Sequence, residues 1–516
     1  VADIFDSYQL APAWDEMFER PGVARPQYQA LLAALQPLDA AELRYRADQL
    51  ASVFTDRGVT FDYAGEERPF PLDLIPRIID AAEWDLIARG VRQRVLALEA
   101  FLADVYGPAE VLADGLLPWR VIFTSDGFRR EVRGLVPPNG VHVQVAGIDL
   151  VRDGLGQFRV LEDNVRIPSG VSYVVENRLA MTRTFPGLFA EQRVNPVDEY
   201  PGRLLAALRA AAPAQVSDPV VVVLTPGTNN AAYFEHTLLA RLMGVELVEG
   251  RDLVCWGNQV FMHTTAGHRP VHVIYRRVDD GYLDPLHFEP GSVIGCPGLL
   301  NAARAGNVTI ANAVGNGVAD DKLLYTYVPE LIRYYLNEEP LLPNVESYRL
   351  DEPDRLEWVL SRLDQLVLKP VNGSGGAGIV IGPHADEPTI ERLAGQVAAD
   401  PRNWIAQELV ALSTSPVLID SKLAPRHIDL RPFAVNDGQD VWVLPGGLTR
   451  VALREGALVV NSSQGGGSKD TWVVSAGGQL PAEAPPPAEA VEPFALSFRP
   501  DPVVAPLAGP DIGEQQ

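Results

Sequence analysis

Apolar and polar positions change period several times along the chain, and each change marks a new element. From Trp84 to Tyr106 the apolar residues recur at helical spacing, with Val91, Val95, Leu98, Leu102 and Val105 on one face. Gly107-Pro108 then ends the run. Residues 1–115 as a whole read as mostly helical. Between 119 and 165 the pattern shortens: residues 119–124, 141–145 and 158–161 predict strands. Residues 171–185 and 201–213 return to helical spacing. After Asp218-Pro219 come a buried apolar run, the polar loop Gly227-Thr-Asn-Asn230, a helical stretch and a second apolar run. That order is a βαβ pattern and predicts an α/β unit. From about 320 a short helix near Asp321-Lys322 leads into several hairpin-like strands that continue to about 475. The chain shows no internal repeat. The fold class expected is α/β, with an α+β part.

Two of the hairpins carry candidate chemistry. Residues 147–170 read GIDLVRDGLGQFRVLEDNVRIPSG. If the hairpin is symmetric about its glycine turn, Asp149 falls opposite Glu162, and Asn164 shares the face of Glu162 because side chains alternate along a strand. Facing carboxylates destabilise a sheet, and a hard cation removes that penalty. An oxygen-only set of Asp149, Glu162 and Asn164 suits Mg²⁺. The alternative pairs Asp149 or Glu162 with Arg152 or Arg166. Arg166, Ser169 and Gly170 follow at the strand end, placed to meet an anionic substrate or phosphate.

The second hairpin spans VLKPVNGSGGAGIVIG, 367–382, and contains a literal G-x-G-x-x-G. A dinucleotide fingerprint needs a helix after the last glycine. Here β-branched residues and Gly382-Pro383 follow, so the loop joins two strands, and no Gly-Lys-Ser/Thr follows to make a P-loop. Glycine N–H groups can still cradle phosphate, with Lys369 as a point charge. The competing view is a surface turn with a solvated lysine.

Elsewhere, Arg276-Arg277 after the apolar run 271–275 can hold a substrate carboxylate or pair with Asp279 or Asp280. Asn229 lies in a polar strand-to-helix loop suited to substrate. Glu235 and His236 fall on the helix that follows. The eight histidines form no HExxH, and His142 and His272 sit in apolar runs.

Charge narrows the partners. The 516 residues hold 43 basic and 67 acidic side chains, a net of -24, which disfavours nucleic acid and anionic membranes. Cys255 and Cys296 have no metal or redox spacing. No run of about 18 apolar residues exists. The first residues lack the basic start and apolar core of a signal peptide, and a cytoplasmic setting is expected. Residues 476–516 hold nine prolines and six acids against one arginine and read as a disordered tail.

Taken together these blocks resemble the circularly permuted type 2 ATP-grasp family. The similarity runs from about 60 to 475, with LEDNVRIPSGVSYVVENR, VLPGGLTRVAL and VVNSSQGGGSKDTWV as its most specific wording. In ordinary ATP-grasp enzymes the magnesium hairpin comes last; here it lies far upstream of Arg450, hence the permutation. The resemblance implies ATP and Mg²⁺ as cofactors. It assigns Asp149, Glu162 and Asn164 to the metal, and Lys322, Lys369, Gly373, Ser374, Gly375 and Gly376 to the phosphates. Gln407 and Glu408 would meet adenine and ribose. Arg431, Arg450 and Asn461 would serve the reacting groups. The reading of the residues themselves adds Arg166 to these, and Ser169, Asn229, Arg276 and Arg277 for the substrate.

The implied organisation is a helical region at 1–115, a permuted catalytic segment at 116–195 and a preceding-type α/β domain at 196–312. A nucleotide-binding region at 313–475 and the tail at 476–516 complete it. The implied reaction activates a carboxylate as an acyl phosphate for attack by an amine, with an amino acid or peptide as substrate. The second hypothesis is an ATP-binding partner protein without turnover, assembling with small helical or transglutaminase-like proteins. A third, a nicotinamide-dependent oxidoreductase, rests on the glycine pattern alone.

Overall fold

The computed structural model describes the chain except residues 1–3, 6–7, 64–65, 374–375, 377, 420–421, 459, 461–465 and 475–516, and it leaves the side chains at 61–68 and 190 undescribed. The expected tail, and with it Ser374, Gly375 and Asn461, lies outside the described residues.

A six-stranded sheet carries the centre of the fold. Its order is Leu72–Asp80, Gly467–Val474, Val441–Val451, Arg431–Asn436, Val145–Arg152, Phe158–Asn164. The first pair is parallel and the rest are antiparallel. The seam between the sequence-early hairpin and the sequence-late strands is the pairing of Gly147 with Phe433, Ala146 with Ala434 and Val145 with Val435. A circular permutation requires such a seam, because the hairpin reaches its neighbours through space and not through the chain.

Against this sheet lies the helix Ala81–Val105, started by the Asp80 carboxylate, which accepts from the Glu83 N–H at 2.9 Å. All five apolar positions that predicted it are buried. Each such side chain contributes roughly 1.5–3 kcal/mol, so packing outweighs the cap, worth about 1 kcal/mol. The helix also packs on Val328–Leu336.

The expected βαβ unit forms a parallel sheet in the order Thr309–Ala311, Val273–Arg276, Val221–Leu224, Glu246–Val248, with the helix Tyr233–Met243 as its crossover. An antiparallel meander, Leu253–Trp256, Gln259–Thr264 and Gly267–Val271, is inserted before its third strand in sequence. Cys255 on that meander brings its Sγ to 3.5 Å from Cys296 Sγ, a proximity that the spacing of the two does not reveal.

A third, antiparallel sheet runs Ser347–Arg349, Trp404–Glu408, Leu366–Pro370, Val380–Ile381, with the helices Pro353–Leu360 and Glu387–Ala399 alongside. Leu366 and Leu368 pack toward those helices, so period two turns Val367 and Lys369 to the opposite face.

Three expectations fail. Residues 141–144 form no strand, which begins only at Val145: the N–H groups of His142 and Val143 go to the Glu99 carboxylate and that of Gln144 to Asn312 Oδ1, not to a neighbouring strand. Residues 119–124 form a helix, Trp119–Phe123, not a strand. Pro118 precedes it with a fixed φ of -60°, and one short turn suffices to bury Val121 and Ile122. The region 1–115 also holds the strand Leu72–Asp80, which is buried on both faces and so lacks the alternation that marks a half-exposed strand. Pro76 sits where its register with Gly467–Val474 shifts. Among the described residues, no helix is long and apolar enough to cross a membrane.

Candidate active site

The hairpin Val145–Arg152/Phe158–Asn164 has the register that a symmetric turn requires. Asp149 lies opposite Glu162 and Gly147 opposite Asn164, with a bulge between Asp149 and Leu150. Its turn is tied by Asp153, which accepts from the N–H groups of Leu155 and Gln157, both at 2.9 Å. Alternation then sorts the Glu162-Asp163-Asn164 triplet. Asp163 points into the core and takes a bidentate pair from Arg94 of the long helix, at 2.5 and 2.8 Å. Glu162 and Asn164 line a cavity of about 580 Å³, a size that suits a small-molecule ligand.

The two carboxylates of the facing pair have different surroundings. Asp149 is fully buried. It is chelated by Arg431, whose Nη2 lies 2.8 Å from Oδ2, and receives Arg450 Nη2 at 2.7 Å on the same oxygen. Burial alone would raise its pKa, but the two guanidiniums outweigh that and hold it well below the usual carboxylate range. Arg450 is also held by Asp429, with Nε 3.0 and 2.9 Å from its two oxygens. Glu162 is only loosely held. Lys322 Nζ stands 3.7 Å from one oxygen and Arg431 Nη2 3.9 Å from the other.

A second cavity, of about 120 Å³, adjoins the same residues. Apolar side chains such as Leu161, Val367, Ile381 and Leu412 form its walls, and alongside lie Gln407 and Glu408, at the end of the strand Trp404–Glu408, and Leu409 just after it. Glu408 accepts from Tyr348 Oη at 2.6 Å and Gln407 donates to Ser347 Oγ at 2.9 Å. Lys369 points into this cavity and is 6% exposed. Among the described residues it has no hydrogen-bond or ion-pair partner. Burial lowers its pKa to about 8, Glu162 pulls it back up, and Lys322 pushes it down. Glu162 and Arg450 line both spaces, and Asp149 lines the small one. Lys322 donates to the Gly373 carbonyl, which ties the start of the glycine loop to the large cavity.

Other expected residues fall as follows. Arg166 and Ser169 line the large cavity, Arg166 bound to Asp279 at 2.7 Å and facing Asp320 at 3.6 Å. Gly376 borders the small one. Arg276 is not brought to either: it pairs with Asp280 at 2.7 Å and donates to the carbonyls of Asn312, Val278 and Ala313. Arg277 is likewise spent on Glu235, at 3.0 Å, and on the Pro168 carbonyl. Asn229 is exposed, and its neighbour Asn230 is the loop's contribution to the large cavity.

Sequence reasoning passed over Asp320, Arg129 and the segment around Ser125. Asp320 accepts from the N–H groups of Val165 and Arg166, at 2.7 and 3.1 Å, and burial lifts its pKa to about 6 against the pull of Arg166. The segment at Ser125–Arg129 reaches the cavity because Gly127 lies against the backbone of Gly317; a Cβ there would sit 2.1 Å from the Gly317 carbonyl carbon. The mid-chain Gly-Phe-Arg that follows carries no spacing by which a sequence would flag it.

Magnesium needs only one or two protein carboxylates when phosphates supply the remaining oxygens. Glu162 fits that demand: it touches the Asp149 carboxyl, and its cationic neighbours Lys322 and Arg431 stand back at 3.7 and 3.9 Å. Asn164 fits as well, since its Nδ2 is buried without a partner and the amide is free to turn. Both oxygens of Asp149 are engaged by arginine. Among the described residues no cluster of three or more acid, histidine or cysteine ligands exists.

Residues 76–452 match the family described as circularly permuted ATP-grasp type 2, and the chain belongs to that family. An uncharacterized protein of Mycobacterium tuberculosis is 60% identical over 476 residues, covering 92% of this chain and 86% of that protein. One from Synechocystis is 49% identical, covering 91% and 98%. A Frankia casuarinae protein described as a putative glutamate–cysteine ligase is 46% identical over 474 residues, but this chain spans only 54% of it. Among solved structures, a glutathione synthetase-like effector of Globodera pallida in its apo form shares the fold, with a TM-score of 0.57 at 12% identity over 85% of this chain and 98% of that one.

Proposed function

We propose that this protein is an ATP- and Mg²⁺-dependent ligase that activates a carboxylate as an acyl phosphate and joins it to an amine. The observation that carries the reading is the position of Glu162. It lines both the small apolar cavity, which holds the buried Lys369, and the large polar one, which holds Arg166 and Ser169. A nucleotide seated in the first would present its terminal phosphate at the wall of the second. The small cavity suits adenine, with the backbone of 407–409 beside the ring and Glu408 toward the ribose.

In this reading Lys369 and Lys322 bind phosphate oxygens, and Arg431 and Arg450 offset the charge that develops on the transferring phosphoryl group. Asp149 and Asp429 hold those two guanidiniums in place, so the cations are positioned before substrate arrives. Glu162 and Asn164 would hold the metal, which neutralises phosphate charge when bound. The substrate carboxylate attacks the terminal phosphorus and ADP leaves. The amine then attacks the acyl carbon and phosphate departs. Gly373, on the wall of the large cavity, and Gly376, on that of the small one, bring backbone beside the phosphates. The family and the relatives named as ligases support the same reading.

The test is release of phosphate from ATP that depends on both an acid and an amine. Glu162→Gln is expected to lower that rate by at least 100-fold while the melting temperature is retained. Unchanged turnover would contradict the metal assignment.

A further inference from the structure

The large cavity is lined by five cationic side chains, Arg129, Arg166, Lys322, Arg431 and Arg450. Four have a carboxylate in reach: Arg166 faces Asp279, Lys322 faces Glu162, and Arg431 and Arg450 share Asp149. Arg129 has none among the described residues. Its guanidinium lies 5.7 Å from the Phe288 ring and its Nε is buried without a hydrogen bond. A half-buried guanidinium with an unmet N–H is costly unless an anion completes it. The position is also built. Tyr106 Oη accepts from the Arg129 backbone N–H at 3.1 Å, Gly127 rests on Gly317, and a Cβ on Gly281 would stand 3.6 Å from Arg129 Nη2.

We propose that Arg129 binds a second anionic group of the acid substrate, separate from the carboxylate to be activated. The argument rests on the ligase reading above, in which Arg431 and Arg450 meet the transferring phosphoryl group, so the carboxylate that attacks it lies beside them. Arg431 lines the large cavity and Arg450 lines both, so the two mark the end of the large cavity that borders the small one. Arg129 stands on a different segment and lines only the large cavity. One substrate touching both needs an anion at each place. A guanidinium fork fits a carboxylate or a phosphate bidentately, so the acid is a dicarboxylate or a phosphorylated carboxylic acid. A monocarboxylate leaves Arg129 unpaired, and the cavity discriminates against it by the cost of that buried, unmet donor.

Calorimetric titration of the full chain, with Mg²⁺ and AMP-PNP and without them, tests this. The probes are glutarate, its half-amide glutaramate, and 3-phosphonopropionate. Glutarate or the phosphonate is expected to bind at least tenfold more tightly than glutaramate, and which of the two wins identifies the anion. Arg129→Gln is expected to erase the preference and Arg129→Lys to keep part of it, with AMP-PNP affinity equal to that of the unaltered protein in both. The inference is overturned if the unaltered protein shows no preference, or if Arg129→Gln retains it. Failure of the unaltered protein to bind AMP-PNP with Mg²⁺ would instead strike the ligase reading, whatever the acid probes do.

Discussion

Lys369 carries a conflict between stability and binding. Unfolded, a lysine amine titrates near 10.5, whereas here burial brings it to about 8. Between those values the unfolded chain holds a proton that the folded chain has released, so this group's contribution to stability rises with pH across the window and is least favourable below about 8. At pH 7 the penalty is on the order of 3 kcal/mol. Lys369→Met is therefore expected to raise the melting temperature of the ligand-free protein at pH 7 while removing most of its AMP-PNP affinity; a lower melting temperature with intact binding would contradict the placement. AMP-PNP affinity of the unaltered protein is expected to fall as pH rises through about 8, and a flat pH profile would show that the ammonium is not used. The sequence pointed to Lys369 through its strand and glycine loop. It gave no sign of the burial, because the apolar partners Leu161, Val345 and Leu412 come from three other segments.

At the level of elements, the hairpin is oriented by what grips its core-facing side. Arg94 from the long helix takes Asp163 and donates to Asn344 at 2.8 Å, which joins three segments. Asn312 fixes the hairpin's root: its Oδ1 accepts from Gln144 and Val145, both at 2.8 Å, and its Nδ2 donates to the carbonyls of Val145 and Val165. Arg94→Met leaves a buried carboxylate without its partner and is expected to cost about 3–5 kcal/mol in urea unfolding. A loss below 1 kcal/mol would mean that the pair does not hold the hairpin. Period two was enough to place Glu162 opposite Asp149 and Asn164 on one face. It could not supply the bulge after Asp149, nor choose between a metal and an arginine for Asp149, since Arg431 and Arg450 lie some 300 residues away. The strand Leu72–Asp80 escaped for the opposite reason: with both faces buried it shows no period, and its partner is the last described strand of the chain.

For the whole molecule, the permutation is the central fact. The metal-side hairpin, the arginine strands and the lysine strand are far apart in sequence, and the sheet seam at 145–147 and 433–435 brings the first two together. An acidic chain of net -24 needs such a local gathering of cations to accept a polyphosphate. The order of the motifs was legible because each motif is local; the closure was not, because it is made by contacts of long range. The most direct measurement is a crystal structure of the full chain with AMP-PNP and Mg²⁺. The account expects one nucleotide, with adenine beside 407–409, phosphate oxygens on Lys369, and Glu162 on the metal. A nucleotide bound elsewhere, or one that meets Lys369 but leaves Glu162 without metal or phosphate, would contradict it.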